Sequence, residues 1–247
     1  MSQDVTVPKL QFLVRSLALR DEVTPEEQAL IESMTMRRRL LRKGEELVAQ
    51  HSHPSESCIV LSGFTAREVV LDDGKRQITA LHIPGDFVDL HGFTLKRLDH
   101  DIITYGPCTV ALVPHERLKR VTQEYPHLTR MLWLSTMIDA ALHREWELSL
   151  GRRDAVSRVA HIFCELEARL DIIGMVQGGS YALPLSQVDL AECLGITSVH
   201  VNRVLRQLRD RNILEFSRKR VTIRDRAHLR EIAEFDIGYL YIEKCPR

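Results

Sequence analysis

Apolar residues recur at helical spacing across residues 8–33, at Leu10, Leu13, Leu17 and Leu19, and predict helix there. Within that span Thr24 is placed to cap a new helix, with Pro25 at its first position and Glu27 three residues after the cap. Between about Arg37 and Val113 the period shortens to that of strands. Runs such as Cys58-Ile-Val-Leu61, Ala66-Arg-Glu-Val-Val-Leu71, Gln77-Ile-Thr-Ala-Leu81 and Thr109-Val-Ala-Leu-Val113 are broken by turn residues. The breaks are Lys43-Gly44-Glu45, Ser62-Gly63, Asp72-Asp73-Gly74 and Pro84-Gly85-Asp86. Gly74, behind two aspartates, reads as a hairpin turn because glycine tolerates the positive φ required. Many short strands at near-regular spacing predict a small antiparallel barrel or roll.

Helical spacing returns after Pro114. A short helix covers 115–125, Pro126 opens the next, and residues 128–150 run without Gly or Pro, which makes roughly 35 Å of helix at 1.5 Å per residue. Leu128, Met131, Ser135, Ile138 and Leu142 follow 3-4-3-4 spacing, the stripe of a helix that packs along a partner. A long helix leaving a β domain for a second domain suits a dimer seam; packing within the chain is the alternative. Gly151 marks its end. A further amphipathic helix begins at Arg152-Arg153-Asp154 and carries Val156, Val159, Ala160, Phe163 and Leu166.

The stretch from Leu183 to Leu208 is the most informative. Ser186 can cap one helix, with Gln187 beside it, and Val188 to Leu194 form its body. Gly195 stands where a tight interhelical turn needs a residue without a Cβ. Thr197 then caps a second helix. Val201, Val204, Leu205 and Leu208 fall on one face of it, and Ser198, Val199, Asn202, Arg203 and Arg206 on the other, with His200 between. That second face is polar and suits base edges and phosphates. Ile213-Leu-Glu-Phe216, the turn Ser217-Arg218-Lys219-Arg220 and Val221-Thr-Ile223 follow. Two short strands about a basic turn make a wing that can add phosphate contacts.

Composition narrows the setting. The 247 residues are 44% hydrophobic and 28% charged, room for two domains with buried cores. No apolar run is long enough to span a bilayer, and the opening MSQDVTVPKLQF has no secretory pattern, so a cytoplasmic protein is expected. Cys58, Cys108, Cys164, Cys193 and Cys245 lack CxxC spacing and read as reduced, mostly buried thiols. Net charge is zero, yet Arg203–Arg230 holds ten Arg or Lys against three acids. A basic end on a neutral chain predicts a polyanion partner for that end.

In this order of parts the chain resembles the Crp/Fnr family of bacterial regulators over nearly its whole length. The marks are Lys43-Gly44-Glu45, Ser62-Gly63, Pro84-Gly85-Asp86-Phe87, and Leu194-Gly195-Ile196-Thr197 running to Val201-Asn202-Arg203. The resemblance implies an α+β chain with three parts. An effector-sensing, cyclic-nucleotide-binding-like antiparallel β-roll with N-terminal helices covers 1–126, a dimerisation helix 127–151, and a winged helix-turn-helix 152–247. It implies a homodimer on a twofold-symmetric double-stranded DNA site, with RNA polymerase a candidate partner and no membrane. Arg203 falls on the family's guanine-reading arginine. Val199 replaces the family's base-reading glutamate; a valine cannot accept from cytosine but can touch a thymine methyl group.

The effector is less legible. By rough alignment the family's Arg-Ser pair for a cyclic phosphate falls on Leu98 and Asp99, and Asp99 and Asp101 would repel a phosphate, so cyclic AMP is disfavoured. Lys96 and Arg97 are close enough for a shifted register to restore a cation. No cysteine precedes Cys58, so no iron–sulfur cluster is expected. The roll is rich in histidine, with His51, His53, His82, His91 and His100, and imidazole can bind metal or haem. The candidate effector pocket is therefore His82, Asp86, His91, Lys96, Arg97 and His100, with haem or a metal open and the cofactor unassigned. An enzyme using these groups is disfavoured, because no HExxH, GxSxG or P-loop accompanies them. A protein-interaction adaptor is the other class, and salt-insensitive DNA binding would mark it.

Overall fold

Two helices open the chain, α1 (Gln11–Ala18) and α2 (Pro25–Met34). The structure, a computed structural model, describes residues 10–35 and 37–246; the expected helix start at residue 8 and the reading of the first nine residues lie outside them. Thr24 caps α2 in a full capping box, its hydroxyl accepting from the Glu27 amide while Glu27 accepts from the Thr24 amide.

The roll consists of β1 (Arg37–Leu41), β2 (Glu46–Val48), β3 (Glu56–Ser62), β4 (Thr65–Val70), β5 (Arg76–His82), the single turn α3 (Gly92–Leu95), β6 (Asp101–Thr104) and β7 (Cys108–Pro114). All pairings are antiparallel, in two sheets ordered β1-β7-β3 and β2-β6-β4-β5. Strand β3 shows why the roll folds. Its side chains alternate between faces, so Cys58 and Val60 enter the roll interior while Ile59 and Leu61 pack outward on α1, α2 and the start of the long helix. Gly63, in the left-handed region at φ 85°, lets the β3–β4 turn pass against Pro107, whose carbonyl oxygen a Cβ would strike.

Helix α4 (His115–Glu124) leads into α5 (Pro126–Arg152) and α6 (Ala155–Ile172). Gly151 lies inside the last turn of α5, and the break comes at Arg153, just before Asp154 caps α6. The expected partner-facing stripe of α5 is corrected in part. Leu128 and Met131 are fully buried in the chain's own core, against α1, β3 and β7. Ser135, Ile138 and Leu142 continue that inner face and line a cleft shared with α1 and α6. The opposite face of α5 exposes Trp133, Met137 and Leu148.

His127, at the start of α5, ties it to the N-terminal helices, with Nδ1 2.6 Å from Glu27 Oε1 and Nε2 3.2 Å from Asp21 Oδ2. Hydrogen bonds to Glu27 and Asp21 raise the imidazole above its ordinary value of 6.5. For Glu27, burial opposes ionisation but is outweighed by bonds from the Thr24 backbone and His127, which lower it. The His127 contribution is thus complete below pH 6.5 and fades as pH rises through the raised value, while that of Glu27 fades as pH falls through its lowered one. Thermal unfolding of His127→Gln should therefore lose stability relative to the parent at mildly acidic pH, with the gap closing on the alkaline side. A gap independent of pH would count against this tie.

The last part holds β8 (Ser180–Ala182), α7 (Gln187–Leu194), α8 (Ser198–Asp210), β9 (Leu214–Ser217), β10 (Arg220–Ile223), α9 (Arg226–Ala233) and a 3-10 turn, Ile237–Leu240. It shares a core with the roll: Phe64, Ile78 and Leu81 belong to the same apolar cluster as Phe163, Leu166 and Leu208. Two arginines reinforce the junction. Arg76 of β5 donates from Nε to Glu192 (2.8 Å) and from Nη2 to Asp189 (3.2 Å), both on α7. Arg169 of α6 reaches back to the Leu81 carbonyl (3.0 Å) and Asp86 (2.7 Å). The roll and the C-terminal part therefore form one packed body in this structure.

Candidate nucleic-acid interface

Helix α7 begins at Ser186, whose hydroxyl accepts from the Asp189 amide (3.1 Å) while Asp189 accepts from the Ser186 amide (2.7 Å). It ends at Gly195, left-handed at φ 60°, and the chain turns at once into α8. Thr197 caps α8 by accepting from the His200 amide at 3.2 Å. Val201, Val204, Leu205 and Leu208 are buried against the body. The other face presents Val199, Asn202, Arg203 and Arg206 to solvent, with Ser198 and His200 half-buried.

Two pairs hold that face in order before any ligand arrives. Asn202 Nδ2 donates to Gln187 Oε1 at 3.0 Å, linking the two helices. Arg203 Nη2 lies 2.8 Å from His200 Nε2; the guanidinium can only donate, so that imidazole nitrogen accepts. Arg203 keeps further N–H groups for an acceptor such as a guanine edge.

Strands β9 and β10 meet at Arg218 and Lys219, both left-handed with φ of 49° and 61°. A turn with both central residues left-handed matches the twist of a hairpin, but non-glycine residues there cost about 1 kcal/mol each. Charge at the tip is thus held against conformational preference. Lys219 Nζ donates to the Leu185 carbonyl at 2.7 Å and anchors the wing to the start of α7. Arg218 and Arg220 are exposed. The three-residue β8, too short to register in the sequence pattern, pairs with β10 and completes a three-stranded wing.

The expected effector residues do not form one site. Lys96 and Arg97 are exposed, and Lys96 folds over Phe93, donating to its carbonyl. Asp86 accepts from Arg169 and from the Ile83 amide, a structural role at the domain junction. His82 and His100 are buried, and His91 lies with its ring 5.3 Å from that of His100. Burial, with Arg67 nearby, lowers all three imidazoles, His91 to about 4. Among the described residues no group of three or more His, Cys, Asp or Glu side chains is placed to hold a metal ion. Burial pushes the Cys108 thiol up to about 12, so it offers no thiolate to an oxidant. The sequence reading missed Arg67. Its signal was a pair of adjacent charges, Arg67-Glu68, in an otherwise apolar strand, where one of the two must face inward.

A capped reading helix beside a basic three-stranded wing defines a winged helix-turn-helix, a class of DNA-binding domain. A family model described as the Crp-like helix-turn-helix domain matches residues 157–232, and the cyclic nucleotide-binding domain matches residues 38–125. The chain is 30% identical over 172 residues to a probable transcriptional activator of Rhizobium leguminosarum bv. viciae, covering 70% of each chain. It is 27% identical over 209 residues to the transcriptional activator protein FnrA of Stutzerimonas stutzeri, covering 85% of each. The solved structure of FixK2 from Bradyrhizobium japonicum superposes with a TM-score of 0.72 at 28% identity, over 79% of this chain and 96% of that one. The chain belongs to the Crp/Fnr family of transcriptional regulators. No described helix is long and apolar enough to cross a membrane.

Proposed function

We propose that the chain acts in the cytoplasm as a homodimer that reads a twofold-symmetric DNA site, two α8 helices entering successive major grooves about 34 Å apart. The observation that carries this is the α8 face itself. Asn202, Arg203 and Arg206 stand exposed beside the basic wing, and two of them are pre-oriented by neighbours. The exposed apolar face of α5 supplies the seam, and RNA polymerase is the natural next partner for a bound activator. A metal sensor has less support, since no three of the described His, Cys, Asp or Glu side chains are grouped to hold an ion.

Selection from fragmented bacterial genomic DNA with the ligand-free protein, at near-physiological salt, tests the reading. Enrichment of a twofold motif, with affinity falling steeply as salt rises, is the expected result. Folded, dimeric protein that enriches no motif, even after reconstitution with haem or metal ions, would sink it. DNA affinity unaffected by Arg203→Ala and by salt would instead favour the adaptor role.

A further inference from the structure

The roll matches the cyclic nucleotide-binding domain, but its interior does not fit a cyclic nucleotide. A cyclic phosphate needs an uncommitted cation or a set of free donors. The buried cation here is Arg67 of β4, only 7% exposed, and both its terminal nitrogens are already committed, leaving only Nε buried without a partner. Nη1 lies 2.8 Å from His143 Nε2, and Nη2 donates to Asp139 Oδ2 and to the Val88 carbonyl, both at 3.2 Å. Around it stand Asp89, fully buried and held by the Cys58 amide, and the imidazoles of His82 and His100. Asp89 Oδ2, His82 Nε2 and His100 Nε2 are buried without a hydrogen-bond partner. The interior is thus polar, but its charge is internally balanced.

The partners of Arg67 show what the arrangement does. Val88 belongs to the roll, whereas Asp139 and His143 sit one turn apart on α5, the helix read above as the seam. His143 is set for the contact: its Nδ1 lies 2.8 Å from the Asp139 carbonyl, so Nδ1 carries the proton and Nε2 is left to accept from Arg67. One side chain therefore spans from β4 across the roll interior to the long helix. An effector lodged between roll and helix would have to make that same connection.

We infer that Arg67 serves as a built-in effector, a tethered guanidinium that fastens the roll to α5 and holds the DNA-binding posture without an added ligand. The inference rests on the DNA-reading function proposed above and names how that function is regulated. It also makes the site a guanidinium pocket once the tether is cut.

Arg67→Ala should stay folded and dimeric by circular dichroism and sedimentation but bind the selected DNA about 5- to 150-fold more weakly, the usual size of coupling between two sites. Millimolar methylguanidinium or ethylguanidinium should restore most of that loss, whereas equal sodium chloride or methylammonium should not, because neither supplies a planar fork of donors. Asp139→Asn, which keeps the packing, should weaken DNA binding in the same direction and show no rescue; it also stands in should Arg67→Ala fail to fold. Wild-type affinity in either variant, a folded Arg67→Ala that guanidinium ions leave unchanged, or parent protein that binds only with a cyclic nucleotide would each overturn the inference. Parent protein that selects no DNA under any condition would remove the proposed function, and this inference with it. Sequence-specific parent binding together with failed rescue would remove this inference alone.

Discussion

With Trp133→Asp and Met137→Asp together, the protein is expected to sediment as a monomer and to lose about 10²- to 10⁴-fold in affinity for its twofold DNA site, the range in which two linked contacts exceed one. The outward face of α5 leaves Trp133 65%, Met137 47% and Leu148 49% exposed. Lone exposed apolar residues are ordinary, but a tryptophan and two long aliphatics along one side of one helix mark an interaction face. A tryptophan buries about 150–250 Å² when fully covered. At about 25 cal/mol per Å², covering the exposed part of Trp133 contributes on the order of 2–4 kcal/mol per protomer. Aspartate at both positions removes that term and sets like charges across the seam. Met131→Ala is the contrasting variant, because Met131 lies in the chain's own core. It should cost about 2–5 kcal/mol of folding stability while leaving the folded fraction dimeric. Sedimentation equilibrium separates the two cases, and a dimer that survives both aspartates would place the seam elsewhere.

The contrast between those two faces marks where sequence reading stops. A 3-4-3-4 stripe says which side of a helix is buried, but not by whom; only the roll packed against Leu128 and Met131 answers that. Caps and turns were legible because their physics is local: Thr24 with Glu27, and Ser186, Gly195 and Thr197, each act within four residues. Strands β3 and β7 were legible from apolar content. Strand β1 was not, since Arg37, Arg38, Arg39 and Leu40 are exposed on both faces and only edge pairing with β7 makes them a strand. The two faces of α8 could be placed from periodicity: Val201, Val204, Leu205 and Leu208 are buried, Val199, Asn202, Arg203 and Arg206 are exposed, and Ser198 is half-buried. The ties that join the two halves could not. Arg67 meets Asp139, Arg76 meets Glu192 and Arg169 meets Asp86 across long stretches of chain; the Arg67-Glu68 pair marks one inward-facing charge locally, but no local pattern names the distant partner of any of the three.

On the reading helix, Arg203→Ala should weaken binding to the selected site by about 1–3 kcal/mol and relax preference at one base pair, the value of a bidentate arginine–guanine contact. Val199 should govern a neighbouring pair. It is 78% exposed, the one apolar side chain on a face otherwise made of Asn202, Arg203 and Arg206, and it lies one helical turn before Arg203 on the same side. A valine offers no hydrogen bond, so its contribution to base choice must come from apolar contact, and in the major groove the apolar group is the thymine methyl. Thymine replaced by uracil at that position loses the methyl and keeps every hydrogen-bonding group. The parent should bind the uracil site more weakly by about 0.8 kcal/mol, the transfer value of one buried carbon, and 5-methylcytosine should be preferred over cytosine for the same reason. Val199→Ala should bind thymine and uracil sites alike, and Val199→Glu, which restores an acceptor, should shift the preference toward cytosine. Equal binding of thymine and uracil sites by the parent, with Arg203 still discriminating, would mean that Val199 touches no base and that the half-site is read by Arg203, Asn202 and the wing.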